Sequence, residues 1–480
     1  MFQLDVLEQA TFEVLRSIRS WRNAVAPTNR IPPEILALLP DFLDQRDRDK
    51  EVIRFTHVCR AWREVFVSRS TLWTNIDCKN NERTRVYLER SKTSPVSLSL
   101  YRPEGISPSD PFFNTIPHAI GRLKSLFVEV ASEHLRDITG HLCRPAPLLE
   151  DITIWSVNTR VPHRNPVLTP SLFNGEFPSL RKLCLESVRT KLPWRSMANL
   201  TWFMLAQMSP GEISLTQLLD FFESTPHLRN VELYSVILTP GAERGRLVTL
   251  GCLEKMEITD CGPSSVLLNH LSIPVGATLW IEVDSANSLI EDLLPRSLDN
   301  LGNLSNFITV QLSVGEPDSR MEFSGPNGKV SMTLTRSRAD GPYLVLQSLA
   351  QLDTSKTEKL VIEKGESLPI NYLYQALLPM KALRTLTLSK CKHSYTFIHA
   401  LHPSTSLSEA VVCPKLEEVI LVSRSDREGF DIEGVIEVAA ARASRGKKLG
   451  TVRIVGGGDV DPKDVLELKK HVRHVEYGRG

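Results

Sequence analysis

The sequence predicts an α/β protein in which an amphipathic N-terminal helix and a small all-α module precede a long solenoid of strand–helix units, interrupted by an irregular β-rich section. Three observations predict it. Before residue 73 the apolar residues recur every three or four positions, the spacing of helices. From about residue 120 a motif L-x-x-Φ-x-Φ (Φ apolar) returns seven times, with helical stretches between its copies. Residues 320–336 instead alternate apolar and polar around Gly325-Pro326-Asn327-Gly328, the period of strands about a turn. Composition agrees: with 41% hydrophobic and 24% charged residues in 480, the chain can fill large cores. Its net charge of +1 supplies no bulk field that would draw it to nucleic acid or an anionic membrane, so neither is expected as a partner. The expected divisions are 1–26 (helix), 27–95 (all-α module), 96–261 (first part of the solenoid), 262–356 (β-rich section) and 357–480 (last part and cap).

Residues 4–25 form the first element. Leu4, Leu7, Thr11, Val14, Ile18, Trp21 and Val25 step alternately by three and four, a three-heptad a/d seam. Such a seam either docks on its own protein or pairs weakly with a second copy of the chain. Pro27, Thr28 and Asn29 end it. Pro32, Pro33 and Glu34 then suit a helix start, because the first turn needs no amide donor and favours a carboxylate. Ile35, Leu36, Leu39, Phe42 and Leu43 form its apolar stripe, and Pro40 predicts a kink or restart. Residues 44–51 (DQRDRDKE) read as a solvated loop whose acids lack the calcium-loop pattern. A second helix is expected over about 50–67. Its apolar residues Val52, Ile53, Phe55, Val58, Cys59, Trp62, Val65 and Phe66 fall on two sides, one more than a small domain needs. Leu72-Trp73 adds a further aromatic anchor.

The repeated motif is led by Leu149, Leu180, Leu228, Leu253, Leu383, Leu416 and Leu449, at intervals such as 31, 25 and 33. Leucine-rich repeats run at ~20–29 residues and give each unit one strand, so these read as irregular repeats of that kind. One such unit cannot bury its own apolar face, and neighbours must stack. Residues 214–226 read as an intervening helix, Gly456-Gly457-Gly458-Asp459 as a strand-to-helix turn, and 461–475 as a capping helix with Asp461 near its N-cap.

No nucleophile elbow, phosphate loop, dinucleotide fingerprint or metalloprotease motif occurs, and the twelve His fall at no metal-ligand spacing. No catalytic, cofactor or metal residue is therefore expected, and the chain is not expected to be an enzyme. The eight Cys are scattered without a C-x-x-C, as in a reducing compartment, and Cys261 and Cys391 read as core. No apolar run reaches the ~18 residues of a membrane span, and the N-terminus does not read as a signal peptide. An intracellular protein, cytoplasmic or nuclear, is expected.

Residues 31–73 resemble an F-box. That family opens on Leu-Pro-x-Glu, continues with an apolar helix, then carries Val-Cys-Arg-x-Trp and Leu-Trp. This chain has Ile31-Pro32-Pro33-Glu34, Ile35-Leu36, Val58-Cys59-Arg60-Ala61-Trp62 and Leu72-Trp73. Ile31 stands where the pattern has Leu, and the stretch from Pro40 to Lys50 is long for a compact F-box. With its preceding helix and irregular repeats, the chain looks like the large F-box group of mushroom-forming (basidiomycete) fungi. The resemblance implies a substrate-recognition subunit of an SCF-type (Skp adaptor–cullin–F-box) ubiquitin ligase. It would bind a Skp-type adaptor and through it a cullin, while the repeats hold a protein substrate. The alternative is an F-box/repeat scaffold acting outside any ligase. By match to the motif, Ile31, Pro32, Pro33, Glu34, Ile35, Leu36, Leu39, Val58, Cys59, Trp62 and Trp73 would make or flank the adaptor contact.

Overall fold

A computed structural model of the chain describes residues 2–102, 112–157, 165–168, 172–191, 197–241, 243, 245–284, 293–295, 297–304, 307–314, 319–325, 328–335, 346, 349, 352–364, 370–391, 394–403, 411–423, 430, 432–456 and 460–478. It divides into two compact units between Leu183 and Cys184.

The first unit begins with helices α1 (Phe2–Val25), α2 (Pro33–Leu36), α3 (Gln45–Phe55), α4 (Arg60–Ser68) and α5 (Asn81–Arg90). The restart expected at Pro40 is present: α2 ends after one turn and a 3-10 turn takes over at Leu39–Phe42. Two expectations are corrected. Residues 44–51 are not a loop, because the Asp44 carbonyl accepts the amides of Asp47 and Arg48 and opens α3. Opposite charges three apart, such as Asp47 and Lys50, then support that helix. Nor is 50–67 a single helix. The Thr56 hydroxyl turns back onto the Ile53 carbonyl at 2.6 Å, the chain tightens, and Cys59 is fully extended (φ −159°, ψ 175°) before α4.

Strands β1 (Asn75–Asp77), β2 (Val96–Arg102), β3 (Leu123–Ala131) and β4 (Asp151–Val157) follow as a parallel ladder. Ile76, Leu98, Leu126 and Ile152 stand in one register, all buried. Trp73 joins the helices to this ladder. Its indole N–H donates to the Phe66 carbonyl at 3.0 Å, its ring meets Tyr87 of α5 edge-on at 5.0 Å, and the Arg90 guanidinium lies 4.3 Å above it. Arg122 ties down the end of α5 by donating to the Leu88 and Ser94 carbonyls and to the Ser91 hydroxyl.

Strand β5 (Lys182–Glu186) lies across the division. The second unit contains β6 (Trp202–Met208), β7 (Asn230–Val236), β8 (Val248–Thr249), β9 (Lys255–Thr259), β10 (Leu271–Ser272), β11 (Thr278–Asp284), β12 (Thr309–Val314), β13 (Ser319–Ser324), β14 (Lys329–Thr335), β15 (Lys359–Glu363), β16 (Thr385–Ser389), β17 (Glu418–Val422), β18 (Thr451–Val455) and β19 (His474–Gly478). Strands β6, β7, β9 and β11 pair parallel in that order, as do β12 and β15 to β19. Between these runs lies the irregular section. β14 pairs parallel with β11, and β13 runs antiparallel between β14 and β12. The hairpin expected at 320–336 is therefore β13–β14; Pro326 and Asn327 of its turn lie outside the described residues, as do Gly457, Gly458 and Asp459.

All seven motif copies enter strands, each with its leading leucine buried. Two further copies serve β3 (Leu123, Leu126, Val128) and β6 (Leu200, Phe203, Leu205). Register stacks the copies in columns: Leu360, Leu386, Val419 and Val452 in one, Ile362, Leu388, Leu421 and Ile454 in the next. The expected helix over 214–226 is Leu215–Ser224, closed by a Ser214/Gln217 capping box. Asp461 caps a terminal helix, Pro462–His471, which stops short of 475 because His474–Gly478 pairs with β18.

A recurring backbone feature ends these strands. Ser187, Gln207, Ser235, Asp260, Lys364, Lys390 and Gly456 each lie two residues beyond a buried strand residue (Leu185, Leu205, Leu233, Ile258, Ile362, Leu388 and Ile454), Gln207 and Ser235 just before buried Met208 and Val236, and each has φ between 51° and 72°. The amides of Lys364, Lys390 and Gly456 donate to carbonyls of the following strand, at Ser389, Val422 and Gly478. A left-handed residue other than glycine costs ~1–2 kcal/mol. Gly456→Ala is therefore expected to lower stability by about 1 kcal/mol, and Lys390→Gly to leave it unchanged or raise it by up to about 1 kcal/mol. Urea unfolding midpoints of the two variants check the opposite signs.

Candidate functional site

The helical module sorts its apolar residues into an inside and an outside. Pro32 precedes α2 with extended backbone, Pro33 occupies its first turn and Glu34 follows. Leu36 and Pro40 point inward and are buried. Ile35 and Phe42 point outward, 53% and 84% exposed, with Leu38 between them also exposed. All three lie within eight residues, on α2 and its 3-10 continuation. Across the break between α3 and α4, Val58 projects from the irregular residues and is 51% exposed.

The inside is aromatic. Phe55 of α3 meets Trp62 edge-on at 5.7 Å and stacks on Phe66 at 5.0 Å, and Trp62 and Phe66 are 5.9 Å apart. The apolar residues on two sides of one expected helix thus belong to two helices that face each other, and most of the surplus is consumed internally. Trp62 is only 9% exposed, and its indole N–H is buried with no acceptor among the described residues. Trp73, expected as a further aromatic anchor at or beside the adaptor contact, is 1% exposed and holds the joint to the ladder. Of the eleven residues expected at the contact, Pro32, Pro33, Glu34, Ile35 and Val58 are exposed. Ile31, Leu39 and Cys59 are half-buried, and Leu36, Trp62 and Trp73 are inside. Leu38 and Phe42 were not among the eleven, although the same apolar stretch holds them.

Charges brace the module rather than line its face. Asp41 accepts from Arg48 at 2.8 Å and from Arg69 at 3.1 Å, tying the 3-10 turn to α3 and to the end of α4. Asp49 of α3 lies 3.6 Å from Arg83 of α5; burial pushes its carboxyl up, against the pull of Arg83 and Arg48.

The second unit offers a separate outward surface. Along β7, β9, β11, β14 and β13, Glu232, Glu257, Trp280, Ser331 and Glu322 stand in one register, all half-buried but Ser331, which is buried. Lys255 pairs with Glu257 at 2.7 Å, and Arg320 lies 4.7 Å over the Trp280 ring. Among the described residues, no group of three His, Cys, Asp or Glu could hold a metal ion, and no helix is long and apolar enough to cross a membrane.

None of the eight cysteines is in a disulfide. Cys261, buried as expected, donates to the Leu233 carbonyl of the preceding strand; Cys391, half-buried, does the same to Ile362. Burial pushes the Cys261 and Cys413 thiols up to about 12, so both stay protonated at neutral pH. Iodoacetamide near neutrality should modify exposed Cys143 and Cys252 in the native chain and reach Cys261 and Cys413 only after unfolding, as peptide mapping would report.

Compared with protein-family models, residues 28–79 match the one described as F-box-like, so the helical module is an F-box-like domain. The match spans α2, α3, α4 and β1, and it ends before α5. No curated protein matches the chain.

The division into inside and outside separates two kinds of substitution. Trp62→Ala should cost about 3–5 kcal/mol of stability, the usual loss for a buried large aromatic. Ile35→Glu and Val58→Glu should each stay within about 0.5 kcal/mol of the parent. Thermal unfolding of the three variants checks the contrast.

Proposed function

We propose that the outward apolar face around Ile35, Leu38, Phe42 and Val58 docks the chain on a Skp-type adaptor. On this reading the chain is the substrate-recognition subunit of an SCF-type ubiquitin ligase, linked through the adaptor to a cullin. The observation that carries the reading is a coincidence of place: the F-box-like match covers the one stretch of the helical module whose large apolar side chains face water. Exposed apolar residues gathered on one element mark interaction surfaces. Pro32, Pro33 and Glu34 fix the start of α2, while Ile31, Leu39 and Cys59 flank the contact. Leu36, Trp62 and Trp73 act from inside by holding the face in shape.

The stacked units, read as irregular leucine-rich-like repeats of a solenoid, would hold the protein substrate on the outward face of their strands. The mechanism is tethering: substrate and charged ubiquitin carrier share one assembly, which raises their effective concentration without chemistry by this chain. Such an assembly works in the cytoplasm or nucleus. The architecture of leading helix, F-box-like module and irregular repeats also supports kinship with the F-box group of mushroom-forming fungi.

Co-purification of the full chain with the adaptor tests the reading. Ile35→Glu and Val58→Glu should each weaken adaptor binding at least about tenfold, since central interface positions carry ~2 kcal/mol or more. Their unfolding midpoints should not move. Failure of the unmodified chain to bind the adaptor would overturn the proposal. Adaptor binding without a ternary complex with the cullin would favour a scaffold acting outside a ligase.

A further inference from the structure

Among the described residues, helix α1 gathers nine exposed large apolar side chains on one element. Every side chain from Leu4 to Val25 is exposed, and Trp21 reaches 75%. A lone helix of this length is marginal in water, and most of its stability must come from packing of its apolar stripe. Among the described residues, none buries a side chain of α1 between Leu4 and Val25.

The pattern of α1 is complementary to itself in reverse. If two copies run antiparallel with Leu7 facing Ile18 of the other, Leu4 faces Trp21 and Thr11 faces Val14 in the same register. Each layer then joins an a position to a d position, with no layer left over between residues 4 and 21. Thr11 enters such a seam without an unmet donor, because its hydroxyl already bonds the Leu7 carbonyl at 2.7 Å. Charge follows the same symmetry. The first half carries Asp5, Glu8 and Glu13, and the second half carries Arg16, Arg19 and Arg22. Antiparallel pairing lays acids along arginines twice over, whereas parallel pairing sets like on like. The same polarity suits the dipole of an isolated helix, but an isolated helix has no use for the continuous seam.

Sterics point the same way. The F-box-like module begins a few residues after Val25. Parallel helices would crowd two modules at one end, at the ~8–10 Å spacing of a helix pair. Antiparallel helices would hold them at opposite ends of a rod of about 36 Å, from 24 residues at ~1.5 Å each. A bilayer is the weaker occupant, since three carboxylates along the first half oppose an anionic surface.

We propose that two copies of this chain associate through an antiparallel pair of α1 helices. The pairing uses no residue of the module's outward face, so it stands apart from the adaptor reading.

Sedimentation velocity of the full chain from about 1 to about 100 µM should show a monomer–dimer equilibrium. Raising salt from about 0.05 to about 0.5 M should weaken it several-fold. Leu7→Glu with Ile18→Glu should remain monomeric over that range with an unchanged unfolding midpoint. For orientation, a Leu7→Cys chain is mixed with an affinity-tagged Ile18→Cys chain and oxidised mildly, with the unmodified chain as background for its native thiols. The mixed disulfide dimer should exceed either homodimer. A monomer at the highest concentration overturns the proposal, as does a predominance of Leu7→Cys homodimers. So does a chain that stays monomeric yet sediments with phosphatidylcholine/phosphatidylserine vesicles.

Discussion

A strand in a parallel ladder finds no hydrogen-bond partner within its own strand–helix unit. Each carbonyl and amide of β16 is answered by β15 on one side and β17 on the other, and the same is true along that run. The apolar columns obey the same constraint, because Leu386 is covered by Leu360 and Val419 of its neighbours. Stability is therefore shared between adjacent units and owned by none. This dependence explains why the leading leucine, the two strand apolar residues and the left-handed closing residue recur together.

The helical module follows the opposite rule. Its helices satisfy their own backbone, so they need only an aromatic interior, which Phe55, Trp62 and Phe66 supply. Residues not required there are free to face out. The division is visible in neighbouring side chains: Leu36 is buried and Ile35 is exposed, one residue apart on the same turn. A docking face and a stable interior can thus be altered separately, except at Trp62.

Much of this was legible in the sequence. The motif copies, the β13–β14 hairpin, the Ser214 helix and the Asp461 cap follow from periodicity and turn chemistry, which are local. The break at Thr56–Cys59 was not legible, because valine, threonine and cysteine are each acceptable in a helix and the break is set by extended Cys59 and a back-bonded Thr56. The charged run at 44–51 looked like a loop because its composition is polar, yet its acids and bases alternate at helical spacing. The closing residues were hidden too: Ser235, Asp260 and Lys390 adopt a conformation that sequence normally advertises with glycine, and only Gly456 does so. At the site, the direction of each side chain was the missing quantity. Leu38 and Phe42 face water like Ile35, while the two tryptophans that drew attention by type turn inward.

The joint at Trp73 sets the boundary of what can be moved as one piece. The family match stops at residue 79, but the indole rests on Tyr87 and beneath Arg90, and β1 takes its ladder partner from β2. A fragment cut at the family boundary would leave this tryptophan facing water beside an unpaired edge strand. The stretch that could be grafted onto another sheet intact therefore runs through α5 and β2. In this chain the domain's signature and its physical limit do not coincide.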